Sequence, residues 1–241
     1  WRVIKKLMGL NPNEYEKNTP KDGVVDRVQV VQYPSKIGYL EPHTDPHSNQ
    51  RLILSAYMSK KGVDFDGLGF YLINQDNKNI NLEEFRGKKV VLEWTNHECP
   101  FVKRHYETGN MQKLQKELVE DDVIWLSIVS SAKGKQGYID QDQAKKLTLT
   151  RNASPNHVLL DEDGAVGKKF AAKTTPHMFV IDEDGMLKYQ GAIDNLGTMG
   201  ALFSTDLSKG VNFVREAIQS LNAGLEIESS STRPYGCSIK Y

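Results

Sequence analysis

The sequence predicts an α/β fold, a central mixed sheet flanked by helices, joined to an N-terminal β-rich segment. Three observations predict it. From about Gly69 onward, short apolar β-branched runs alternate with stretches of helical spacing. Before that point β-branched runs are punctuated by proline and glycine, and five of the nine prolines fall in residues 1–68. With 39% apolar and 26% charged residues, the chain has the composition of a globular protein with a core.

Each element follows from local pattern. Trp1 to Leu10 reads as a short amphipathic helix stopped around Gly9 and Asn11-Pro12. Val24–Tyr33, Arg51–Met58 and Gly69–Asn74 read as strands. Val90–Trp94 is a strand too apolar for a surface edge. Cys99 to Glu120 has helical spacing, with Phe101, Met111, Leu114 and Leu118 as inward positions. Val123–Val129 is a buried strand, and Ala144–Thr150 closes a helix. His157–Leu160 leads into the turn Asp161–Gly164, and Ala165 to Ala172 is a short helix. Met178–Asp182 and Leu187–Ile193 flank Glu183-Asp184-Gly185 as a hairpin. Val211 to Ala223 is a last amphipathic helix, ended by Gly224.

Charge and cysteine usage exclude several classes of function. The 31 Lys+Arg balance 31 Asp+Glu, so nothing marks the chain as a phosphate-coating, nucleic-acid-binding protein. No run approaches the roughly 18 apolar residues of a membrane span. The chain opens on Trp1, not methionine, which reads as an incomplete start, so the absence of a visible export signal leaves the compartment open, with the cytoplasm preferred. Two cysteines, Cys99 and Cys237, make neither a multi-bridge scaffold nor a four-cysteine zinc site, but they suffice for one redox pair.

Cys99 falls where a strand ends and a helix begins, within Asn96-His97-Glu98-Cys99-Pro100-Phe101-Val102-Lys103. Helix N-terminal amides favour the thiolate, which is the nucleophile of disulfide and peroxide chemistry. Lys103, Arg104 and His97 could add positive charge, and Glu98 would oppose it. On position alone a buried structural cysteine explains the residue equally well. Thr175-Pro176 enters a strand; a proline there is either a cis turn presenting backbone groups to a sulfur or an ordinary strand start.

Together these pieces resemble the thioredoxin-fold redoxins, a group that includes peroxiredoxins and membrane-anchored thiol reductases. The resemblance covers about 69–241 and is nearest the AhpC/TSA, peroxiredoxin-like subgroup. It is carried in order by Leu82-Glu83-Glu84-Phe85-Arg86-Gly87-Lys88, the Cys99 loop, Thr175-Pro176, the hairpin Asp182–Asp194 and the closing Gly236-Cys237. It implies a thioredoxin-like sheet and a thiol oxidoreductase with antioxidant activity. Cys99 would be the nucleophile, in a pocket shaped by Thr175 and Pro176. The substrate would be a peroxide or protein disulfide, with an external thiol reductant and no cofactor.

Two departures refine this. Val102 stands where a C-x-x-C reductase has its second cysteine, so dithiol exchange within the loop is excluded. Asn96 stands three residues before Cys99, where a peroxiredoxin has a hydroxyl residue. Arg104 and Arg151 are candidates for the peroxiredoxin arginine. Cys237 follows the short run Ser229–Thr232, read as flexible. It is either a resolving thiol that reaches Cys99 in its own chain or a neighbour's, which allows a homo-oligomer, or a free thiol on a disordered end.

Residues 1–68 resemble something else. His43-Thr44-Asp45, followed by Arg51–Tyr57 and Asp66–Leu72, is similar to the first half of a 2-oxoglutarate/Fe(II) dioxygenase, a partial jelly roll. That resemblance implies His43 and Asp45 as ligands of Fe(II) with 2-oxoglutarate as cosubstrate, and a changeover between residues 65 and 82. The alternatives to a thiol enzyme are thus a dioxygenase-derived protein or a non-catalytic thioredoxin-fold binding module.

Overall fold

The computed structural model describes residues 71–197, 206–207 and 209–241. The helix read at Trp1–Leu10, the strands read at Val24–Tyr33 and Arg51–Met58, and the partial jelly roll with His43 and Asp45 lie outside the described residues.

The elements, in chain order, are β1 (Leu72–Asn74), β2 (Asn79–Ile80), a 3-10 turn (Leu82–Phe85), β3 (Val90–Trp94), α1 (Pro100–Glu107), α2 (Asn110–Glu120), β4 (Ile124–Val129), α3 (Gln141–Thr150), β5 (His157–Leu160), α4 (Ala165–Lys169), β6 (Thr174–Thr175), β7 (His177–Ile181), β8 (Leu187–Gly191), α5 (Phe213–Asn222) and β9 (Cys237–Ser238). The mixed sheet flanked by helices is therefore as the sequence predicts.

Seven strands form one sheet in the order β2-β1-β5-β4-β3-β7-β8. Its centre is parallel, with Val90 opposite Ile124 and Leu126 opposite His157, and β7 runs antiparallel to β3. All five residues of β3 are buried, as expected of a central strand covered on both faces. Strand alternation sorts its side chains. Val91 joins the core built on α1, α2 and α5, whereas Val90, Leu92 and Trp94 join the opposite core with Leu126, Phe179 and the partly buried Phe170. On α5, Val214, Ala217 and Ile218 point inward, and Asn212 caps its start by accepting from the Arg215 amide. Each large apolar side chain so buried contributes about 1.5–3 kcal/mol. Among the described residues no helix is long and apolar enough to cross a membrane.

Two readings are corrected. Cys99–Glu120 is not one helix. Gly109, at φ +72°, separates α1 from α2, and the Thr108 hydroxyl turns back to the Arg104 carbonyl at 2.7 Å. The spacing of apolar residues nearly repeats across the break, which hides it. Nor is Ser229–Thr232 the start of a loose end. The Gln190 amide donates to Ser230 O and the Thr232 amide to Gln190 O, both at 3.1 Å. The Thr232 hydroxyl accepts from the Ala192 amide at 3.0 Å and pairs with Tyr189 Oη at 2.6 Å. Beyond it β9 pairs antiparallel with β6, the Ala132 amide donates to Lys240 O, and Tyr241 Oη donates to Ala172 O. The tail is a strap fixed on both sides of Cys237.

Candidate thiol active site

The site begins with β3, which delivers the loop Thr95–Glu98 to the start of α1. Cys99 is the N-cap residue in extended conformation, and its carbonyl accepts from the Lys103 amide at 2.8 Å. Pro100 occupies the first helical position, where no amide donor is needed. The loop is held from within and from without. Asn96 O accepts from the Cys99 amide, Asn96 Oδ1 accepts from the Glu98 amide at 2.8 Å, and Asn96 Nδ2 donates to Gln136 O at 3.3 Å. Glu98 accepts from the Gly137 amide, and Arg151 donates to His97 O at 2.9 Å.

Opposite the loop, the Thr175-Pro176 bond is cis, the first of the two alternatives for this proline. The Cys99 thiol donates to Thr175 O at 3.0 Å. In the β6–β9 ladder Thr175 faces Cys237, and the Thr175 hydroxyl lies 3.5 Å from Cys237 O. The fold therefore brings Cys99, Thr175, Pro176 and Cys237 together.

The Redoxin family profile matches residues 58–200 of the sequence. The chain belongs to the Redoxin family. Among solved structures, this redoxin is similar to an uncharacterized conserved protein from Geobacillus kaustophilus, with 24% identity over 71% of this chain and 88% of that one, at TM-score 0.60. A hypothetical protein from Sinorhizobium meliloti 1021 gives 20% identity over 71% and 90%, also at 0.60. A secreted disulfide oxidoreductase of Mycobacterium tuberculosis gives 17% over 50% and 81%, at 0.40. No curated protein matches the chain. Cys237 lies beyond the region matched to the redoxin profile.

The two thiols of this redoxin differ in acidity. Burial pushes the Cys99 thiol up, but hydrogen bonds from the Cys237 thiol, the Val102 amide, the Thr175 hydroxyl and the Cys237 amide outweigh it, so its pKa lies below the ordinary cysteine value. The Thr175 carbonyl works against them, since it accepts only from the neutral thiol. Burial pushes Cys237 up to about 12, reinforced by its bond to Cys99 and by the charge there. Cys99 is thus the more acidic thiol of the pair.

Of the two sources the sequence reading looked to, the helix-start amides contribute through Val102, whereas the nearby cations do not. The Arg104 guanidinium donates twice to Leu196 O at 3.2 Å, and Arg151 clips the loop and stacks 4.7 Å over the Tyr106 ring. Burial holds His97 below its ordinary pKa, and hence neutral. Asn96 spends its Oδ1 on the Glu98 amide and one Nδ2 hydrogen on Gln136 O, so its side chain braces the Cys99 loop and keeps a second amide hydrogen as a donor. Cys99 itself is completely buried, as the alternative reading of a structural cysteine has it. It lies in a cluster against which Phe101, Tyr235 and Cys237 pack.

Sequence reasoning missed two groups. Glu93 is wholly buried on the same face as α1. Its carboxyl accepts from Tyr106 Oη at 3.0 Å, Trp125 Nε1 at 3.0 Å, Ser127 Oγ at 2.9 Å and Gln115 Nε2 at 3.2 Å, and burial raises its pKa. The signal was present, as a lone acid inside an apolar strand. The other group, Tyr235 with His105 and Asp194, joins three distant segments and carries no local signal. Among the described residues no group of three or more His, Cys, Asp or Glu is placed to hold a metal ion.

Proposed function

We propose that this redoxin is a thiol oxidoreductase in which Cys99 is the nucleophile and Cys237 its resolving partner. The observation that carries the reading is the convergence of the two cysteines on Thr175: the Cys99 thiol donates to Thr175 O at 3.0 Å and Cys237 pairs with Thr175 across the β6–β9 ladder, with Cys99 favoured as the more acidic thiol. Family membership supports the thiol-oxidoreductase type. The buried Val102 in place of a loop cysteine makes Cys237 the partner within this chain.

With a peroxide, the Cys99 thiolate attacks one oxygen, the O–O bond breaks, and the leaving alkoxide or hydroxide takes a proton. Cys99 becomes a sulfenic acid. Cys237 then gives up its proton and attacks that sulfur, water leaves, and a Cys99–Cys237 disulfide forms. With a protein disulfide, Cys99 forms a mixed disulfide and releases one thiol, and attack by Cys237 releases the second. In either case an external dithiol returns the two electrons.

Titration with hydrogen peroxide and intact-mass measurement tests this. Wild type should lose the mass of two hydrogens, Cys237→Ser should gain oxygen at Cys99, and Cys99→Ser should do neither. A wild-type Cys99 that gains neither oxygen nor a disulfide, and alkylates no faster than a free thiol at neutral pH, overturns the reading.

A further inference from the structure

We propose that Tyr235 is the positioning residue that seats Cys237 on Cys99, anchored by the buried pair His105 and Asp194. The role rests on the dithiol reading above but is carried by separate contacts. Tyr235, Gly236 and Cys237 are consecutive, and each touches a different part of the site.

Tyr235 Oη donates to Asp194 Oδ1 at 2.5 Å and lies 3.0 Å from His105 Nε2. His105 Nδ1 lies 2.8 Å from Asn110 Nδ2. An amide nitrogen only donates, so Nδ1 is the acceptor and the ring proton sits on Nε2. The bonds then run in one direction, from the Asn110 amide to Nδ1, from Nε2–H to the Tyr235 oxygen, and from the Tyr235 hydroxyl to the Asp194 carboxylate. His105 is fully buried and Asp194 is 3% exposed, so the seated bonds are shielded from water, and Asp194 Oδ1 also accepts from the Leu196 amide at 2.9 Å.

The anchor is tied to the reacting sulfur through α1. His105 lies on the helix that Cys99 caps, and the Phe101 ring on the same helix packs against Tyr235 at a centroid distance of 5.6 Å. Gly236 then brings the backbone onto Thr175. At φ +128° it adopts a conformation that favours glycine, and a Cβ there would collide with the Thr175 carbonyl oxygen. With Tyr235 fixed and Gly236 lying on Thr175, Cys237 is left facing Cys99. Release of the Tyr235 hydroxyl is accordingly the step that uncovers the buried thiol.

Tyr235→Phe keeps the ring and removes both hydrogen bonds. In a Cys237→Ser background it should raise the rate of Cys99 alkylation by iodoacetamide about tenfold. With Cys237 intact and excess peroxide, it should divert Cys99 from disulfide towards sulfinic acid. Asp194→Asn, which retains an acceptor, should stay near wild type in both readouts, and Asp194→Ala should behave as Tyr235→Phe. A purely structural role would lower the thermal midpoint and leave the sulfinate-to-disulfide ratio unchanged. If Tyr235→Phe does not fold, Asp194→Ala carries the test. Unchanged alkylation and an unchanged ratio in a wild type that does form the disulfide overturn the proposal but not the dithiol reading. If wild type forms no disulfide, that reading fails, and the alkylation rate alone decides the role of Tyr235.

Discussion

At the scale of single residues, the acidity of Cys99 comes from hydrogen-bond donors rather than from cations, and the Cys237 thiol is the foremost of them. This makes a directional prediction. Cys237→Ala removes the donor and should move the pH midpoint of Cys99 alkylation upward, while Cys237→Ser, whose hydroxyl still donates, should move it less. A shift of one unit corresponds to about 1.4 kcal/mol of lost preference for the thiolate. Equal midpoints in the two variants and wild type would assign the acidity to the remaining donors, the Val102 amide, the Thr175 hydroxyl and the backbone amide at position 237. Cys99, Thr175 and Pro176 could be picked out in the sequence because strand-end, helix-start and X-Pro signals are local. The cause of the acidity could not, because Cys237 reaches Cys99 only through tertiary pairing.

At the scale of elements, the decisive pairing is between two strands of two residues each, β6 and β9. Strands that short have no period to read, and their partners lie far apart in the chain. The serine-rich run before them suggested looseness because polar composition says nothing about which backbone groups find partners. The central strands were readable for the opposite reason, since an unbroken apolar run such as Val90–Leu92 has few alternatives to burial. The β6–β9 pairing depends on Gly236, whose backbone lies against Thr175 O. Gly236→Ala should therefore unseat the strap while leaving the sheet intact. Hydrogen exchange tests this directly: the Ile239 amide, which donates to Lys173 O at 3.2 Å, should lose protection, and the amides of Val90–Trp94 should keep theirs. Retained protection at Ile239 would mean that the strap tolerates a side chain at this position and that glycine is not what sets the approach.

At the scale of the whole molecule, proton binding links stability to the site. His105 and His177 are each lowered from 6.5 to about 4, chiefly by burial; Asp194 pulls His105 up and Arg104 pushes it down, and Lys173 adds to the lowering of His177. As pH falls through 6.5 the unfolded chain protonates both rings, while the native protein holds them neutral until about 4. The unfolded state then binds more protons, so this contribution to stability is complete above 6.5 and is lost on the way down to about 4, roughly 3 kcal/mol for each ring. Glu93 and Asp161, both raised by burial, act in the opposite sense, because the native state protonates them first as pH falls. A difference measurement separates the two effects. His177 accepts the Lys173 amide through Nδ1 at 3.2 Å, and His177→Asn can keep an acceptor there without a titrating ring. Its stability relative to wild type, from urea midpoints, should improve steadily from pH 7 to pH 4.5 and approach the full 3 kcal/mol only near pH 4. A difference that stays constant with pH would show that His177 titrates alike in the folded and unfolded chain. Because His177 follows Pro176 and His105 holds Tyr235, the two buried rings flank the thiol pair, and acid weakens the molecule where the strap is seated.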